Sequence, residues 1–226
     1  MFARAVWLIL KKDLTVEVRS GEVAYTTLFF AVSCILMFAF ALVRDGRAPE
    51  DGAAGLLWIA IAFAGTLALG RTFERERQSE TLRALLMAPA ARPAVYVGKL
   101  LGIIALLAGV EIVLVPLVAL LFDARALLDR PFWLAGLLVA GTTGFAAVGT
   151  LFAAMLIRAR SRDVLLPVLL YPVIVPVMIA GVRGTAALLQ ADVDTAVLGF
   201  WLALLTTFDV VFVTLALWTF EAVMTD

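Results

Sequence analysis

The sequence predicts an all-α integral membrane protein: six transmembrane helices preceded by an amphipathic helix at the membrane surface. Three observations carry this reading. Hydrophobic residues make up 64% of the 226 and charged residues only 16%, against about 25% charged in soluble chains. The mean hydropathy is +1.06. The apolar residues also gather into six long runs, and a helix needs about 20 mostly apolar residues to cross about 30 Å of hydrocarbon.

The same composition excludes other classes. A soluble domain of this length could not hide so much apolar surface. Disorder requires low hydrophobicity and high net charge, whereas 18 Lys and Arg here balance 18 Asp and Glu. No global charge draws the chain to nucleic acid. The single Cys34 rules out a disulfide scaffold. There is no histidine, so the commonest metal ligand and the commonest acid–base group are both missing. Barrel strands alternate in short units, and these runs do not.

Residues 1–23 come first. Trp7, Leu10, Leu14 and Val18 recur at helical spacing, while Lys11, Lys12, Asp13 and Arg19 reach water or headgroups from the flanks. That pattern suits an interfacial helix; the plainer alternative is a frayed tail. No small-residue cleavage site follows the short apolar run, so no cleaved signal is expected. The predicted spans are 24–43, 53–70, 100–122, 132–157, 164–182 and 196–220. The fifth is the shortest but one, and either spans or only dips in. A short outer helix is expected after it, around 186–190, and no extra domain is expected after Glu221.

Orientation follows from Lys and Arg near the spans. One side carries thirteen, including Lys99 and Arg162, and the other carries five. The bias places both termini in the cytoplasm and makes the chain a multi-pass protein of the cytoplasmic (inner) membrane.

Residues 71–99 form the longest loop. Glu74, Glu76 and Arg77 lie on a charged stretch without a helix breaker. Leu82, Leu85, Leu86 and Met87 then add an apolar stripe before Pro89 and Pro93. The pattern reads as a helix leaving the membrane, a short amphipathic helix, and a return at Gly98 and Lys99. Either it docks in a partner's groove or it is an ordinary connection; its length favours docking.

Within the spans, polar groups are costly and therefore informative. Glu111 and Asp209 are the intramembrane carboxyls. Each is either part of a polar pathway or interface, or a structural acid bonded to a neighbouring helix. Pro116 frees a backbone carbonyl near Glu111. Pro167, Pro172 and Pro176 predict a kinked fifth span, as a hinge or as a fixed shape. The fourth span is rich in small residues, among them Gly136, Ala140, Gly141, Gly144, Gly149 and Ala153. These serve tight packing or a homodimer face. No nucleotide-binding or hydrolase motif occurs, so no catalytic residue and no metal site is predicted.

Taken in order, these features resemble permeases of the type-2 ABC exporter class. Locally, Leu57-Trp58-Ile59-Ala60-Ile61-Ala62-Phe63, Phe73-Glu74-Arg75-Glu76, Leu82 to Pro89, Gly98-Lys99-Leu100 and the run Pro167 to Val177 resemble the haem exporter protein B family of cytochrome c maturation. The stretch Met37 to Leu42 fits as well. The resemblance covers nearly the whole chain. One departure stands in the loop: the class often carries Gly-Thr-Leu-Glu, and here Glu80-Thr81-Leu82-Arg83 replaces it, changing charge at both flanks.

The resemblance implies a transporter subunit, not an enzyme, for haem export or for release of a haem-loaded chaperone. ATP would be hydrolysed on a separate ABC ATPase. Glu74, Glu76, Arg77, Glu80, Leu82, Arg83 and Leu86 would couple to it. Haem-handling membrane subunits, a haem chaperone and a second copy of the chain would be the other partners, with lipid around them. Haem iron is usually held by His, Cys, Met or Tyr. With no His, and Cys34 inside the first span, no cofactor is expected to be bound directly, and haem would be a transient cargo ligated by partners. The alternatives are a permease for another substrate, such as a lipid, glycan or drug, and a passive scaffold for haem-handling proteins.

Overall fold

The structure is a computed structural model that describes residues 2–42, 50–78, 92–156, 159 and 161–223. These residues form α1 (Phe2–Ser20), α2 (Glu22–Leu42), α3 (Glu50–Gln78), α4 (Arg92–Leu121), α5 (Ala126–Asp129), α6 (Pro131–Met155), α7 (Arg162–Leu188) and α8 (Thr195–Val223). Six of them, α2, α3, α4, α6, α7 and α8, are long and apolar enough to cross a membrane. The described residues contain no strand, and the chain is a multi-pass membrane protein.

Local chemistry sets the helix ends. Gly21 separates α1 from α2 at φ +62°, a conformation that costs a residue with a Cβ. A Cβ there would also sit 2.3 Å from the Tyr25 ring. The Glu17 carboxylate reaches across this corner and accepts the Ala24 N–H at 2.7 Å. It thus satisfies one of the donors a helix start leaves open, where negative charge is favoured. Asp194 does the same for α8, accepting the Ala196 N–H at 2.8 Å. Pro131 opens α6, where its missing N–H costs nothing.

α6 is the hub. It packs against α3, α4, α7 and α8, and it is the most deeply buried span. α3 packs in turn on α2, α4 and α7, and α1 lies against the first half of α4. The small residues of α6 make this possible. A Cβ on Gly141 would come within 2.1 Å of the Trp58 ring, and one on Gly149 within 2.3 Å of Leu69. The small-residue face is therefore filled by side chains of this chain, and the homodimer reading of that face gives way to internal packing.

Several expectations shift. Residues 71–78 are not loop but the continuation of α3, with Phe73 buried. Residues 92–99 are the opening turns of α4, with Tyr96 and Lys99 buried. The third span accordingly starts at Pro93 rather than at 100. The segment between α3 and α4 shortens to 79–91, outside the described residues. The fifth span does not dip: α7 runs 27 residues, unbroken through Pro167, Pro172 and Pro176. It absorbs most of the expected outer helix around 186–190, because Ala187 and Leu188 are buried and continue its packed face. A short helix does occur in the connection between α4 and α6, at α5.

Candidate functional site

Two buried cations tie the bundle together at the end where α3 stops and α4 begins. Lys99 is only 3% exposed and its Nζ donates to Asp13 Oδ2 at 2.7 Å. Asp13 is also 2.9 Å from Lys12. The interfacial helix α1 is thereby clamped to α4. Arg162, the first residue of α7, is equally buried and donates through Nη2 to the Gly70 carbonyl of α3. The bond lies one helical turn before the buried Phe73, on the helix that leads into the 79–91 segment. A charge-assisted bond to a carbonyl is stronger than a neutral one, and a buried guanidinium needs such partners.

Both cations were counted above as loop charges. Their real partners lie 86 and 92 positions away in sequence, so no local pattern could have singled them out. The same holds for Trp58. Its ring lies between Gly141 of α6 and Gly181 of α7, and its Nε1 donates to Thr185 Oγ1 at 2.9 Å. Tyr96 was also missed; its hydroxyl donates to the Ala147 carbonyl at 3.0 Å, and its ring lies 5.4 Å from that of Phe220. These contacts join α3 to α7 and α4 to α6 and α8.

The intramembrane carboxyls bracket α6. Glu111 is buried on α4 and accepts the Thr142 hydroxyl of α6. Asp209 on α8 places Oδ1 against Gly144 of α6, where a Cβ would stand 2.7 Å from it. Among the described residues, that oxygen has no hydrogen-bond partner. The two acids thus approach α6 from different helices. Pro116 lies farther along α4, and Pro167, Pro172 and Pro176 lie along α7.

The proposed coupling residues divide. Glu74, Glu76 and Arg77 fall on the last two turns of α3, directly beyond the Gly70 carbonyl held by Arg162. Glu80, Leu82, Arg83 and Leu86 lie outside the described residues. Cys34 stands in α2 and carries a free thiol. No group of three or more His, Cys, Asp or Glu among the described residues could hold a metal ion.

The chain is similar to Heme exporter protein B of Rhodobacter capsulatus, with 30% identity over 194 residues, covering 84% of this chain and 88% of the relative. It is also similar to that of Pseudomonas aeruginosa, with 29% identity over 191 residues, or 83% and 82% of the two chains. With the Escherichia coli K12 protein of the same name it shares 30% identity over 97 residues, 42% of this chain and 44% of the relative. The family model described as CcmB protein matches residues 4–225, from the interfacial helix through the last span. By that match the chain belongs to the CcmB protein family.

Proposed function

We propose that this chain is the membrane permease subunit of an ABC-type complex acting in haem export, or in release of a haem-loaded chaperone, during c-type cytochrome biogenesis. The observation that carries the reading is the family match across residues 4–225, together with relatives named for haem export that align over most of both chains. The chain is not itself an enzyme. A separate ATPase subunit hydrolyses ATP and docks on the 79–91 segment and the last turns of α3, which would lie on the cytoplasmic side.

The described geometry supports a route for the stroke. A push on the end of α3 reaches α7 through the Gly70 carbonyl and Arg162. From α3 it reaches α6 and α7 together through Trp58, Gly141 and Gly181. A push on the start of α4 reaches α1 through Lys99 and Asp13. Rigid helices joined by such packed contacts move as bodies rather than deform. Haem, where it passes, does so as cargo. With no histidine in the chain, haem-handling partner subunits supply the iron ligands.

The test is co-purification of the full chain from its native membrane, with identification of partners and a haem absorbance scan. An ATPase together with haem-binding membrane proteins is expected. An ATPase alone would favour a permease for another substrate, and no ATPase in a gentle preparation would overturn the reading. Charge reversal at Glu76 or Glu80 is expected to lower ATPase association and cytochrome c maturation together. If both stayed intact, the docking assignment would be wrong.

A further inference from the structure

A cavity lies away from the hub, between α1, α2 and α4, with Thr72 of α3 also on its wall. Its volume is about 550 Å³. Its character changes along its length. At one end stand Lys12, Asp13, Glu17 and Lys99; at the other, the walls are apolar and include Leu28, Leu106 and Val110. Along α4 the lining residues Lys99, Gly102, Leu106 and Gly109 recur at helical spacing, so one face of α4 forms the back wall. Gly102 and Gly109 leave that wall hollow. A Cβ on Gly109 would meet nothing within 4 Å, and one on Gly102 would only touch Asp13 at 3.8 Å.

We propose that this groove is a binding site for a single zwitterionic phospholipid, with its headgroup at the charged mouth and one acyl chain along α4. Three physical arguments select that occupant. The mouth carries two cations and two anions, a balance that suits a phosphate joined to an amine and gives no advantage to an anionic headgroup. The rise from Lys99 to Val110 is about 16 Å at 1.5 Å per residue, close to the depth of one leaflet, half of the ~30 Å hydrocarbon. The mouth also sits at interfacial depth, beside the amphipathic α1 and the exposed ring of Tyr25, and tyrosine favours the headgroup level. The lipid would lie against the Lys99–Asp13 clamp and fill the space between the interfacial helix and the first span.

The experiment uses the full-length chain in nanodiscs of equal phosphatidylethanolamine and phosphatidylglycerol. Native mass spectrometry reads the lipid retained on release. A phosphatidylethanolamine with a photoactivatable acyl chain then maps contacts by cross-linking. The wild type is expected to retain phosphatidylethanolamine severalfold over phosphatidylglycerol, with cross-links on Leu28 and on 102–110. Gly109→Leu, whose Cβ meets no neighbour within 4 Å and whose branches enter the groove, should cut retention and these cross-links severalfold. Gly199→Leu, a change into open space on α8 outside the groove, should leave both unchanged. Equal or stronger retention of phosphatidylglycerol would overturn the zwitterionic assignment. Cross-links confined to the exposed face of α8, or wild-type retention in a folded Gly109→Leu protein, would overturn the site. The wild-type cross-link map decides the matter even if Gly109→Leu fails to fold.

Discussion

Gly141 of α6 and Gly109 of α4 are alike in sequence, each a glycine in the middle of a long apolar run, and the fold uses them in opposite ways. At Gly141 the indole of Trp58 occupies the space a Cβ would need, at 2.1 Å. At Gly109 that space is empty for 4 Å around. In the first place the missing side chain lets helices close on one another, as small residues do in membranes where lipid offers no hydrophobic drive for helix association. In the second it leaves a hollow open to the side. The lesson is that small residues in a span mark where volume is withheld, and only the neighbouring helix decides whether that volume is filled.

The largest effect is expected at the hub. Trp58 is 1% exposed and held between Gly141 and Gly181, so it has nowhere to move. Gly141→Ala is expected to lower stability by about 3 kcal/mol, the upper end for overpacking a closed core, read as a fall in the thermal midpoint of the purified protein. If the midpoint held, the ring would not be fixed and the hub would be looser than described.

The clamp between the two regions comes next. Asp13→Asn withdraws the carboxylate that faces buried Lys99 and should cost about 2 kcal/mol. That is below the ~3–5 kcal/mol for a fully buried pair, because the Asp13 side chain remains 17% exposed. Lys12→Gln at the same carboxylate should cost well under ~1 kcal/mol, because Lys12 is solvent-exposed at 39%. Equal losses for the two variants would show that burial does not distinguish the two lysines.

A smaller effect is expected at the polar edge of the hub. Thr185→Val keeps the shape beside Trp58 and removes the acceptor of its indole N–H. Hydrogen bonds between membrane helices average about 0.6 kcal/mol and reach about 1.7, and a loss in that range should appear in the same unfolding assay. The smallest effect should carry the opposite sign. Gly109→Ala adds a methyl to open space and removes backbone freedom from the unfolded chain, for a gain of up to about 1 kcal/mol. A loss there would show that neighbouring side chains stand closer to Gly109 than the 4 Å of open space.

Much of the fold was legible. All six spans were placed in the sequence within a few residues, except that the third begins seven residues earlier and the fifth ends six later than the hydropathy suggested. The two have different causes. Lys99 counts as solvated because charged residues usually are, yet it is buried against Asp13 and α4 extends through it. The far end of α7 runs past the exposed Arg183 because Gly184, Thr185, Ala187 and Leu188 continue its packed face. Phe73 and Tyr96 are likewise buried in what looked like loop. Of the intramembrane polar residues, Glu111 and Asp209 stood out because a carboxyl among apolar residues is conspicuous. Trp58 stood out only within the 57–63 run that carries the resemblance; its packing role did not, since an aromatic residue in a span is unremarkable until its neighbours are known.

The sequence by itself determined that this chain crosses a membrane six times, where it does so, and that a short amphipathic helix precedes the first crossing. Those properties are local: they follow from the cost of placing polar groups in hydrocarbon and from the 1.5 Å rise of a helix. The tertiary structure alone decided which residues meet. The bonds of Lys99, Arg162 and Trp58 join residues 86, 92 and 127 positions apart, and the same apolar lettering serves equally for a face packed on a helix and a face turned to lipid. Hydropathy cannot separate those two fates, because to a membrane helix the lipid and the protein interior are almost equally apolar; what separates them is shape, and shape exists only once the helices are side by side.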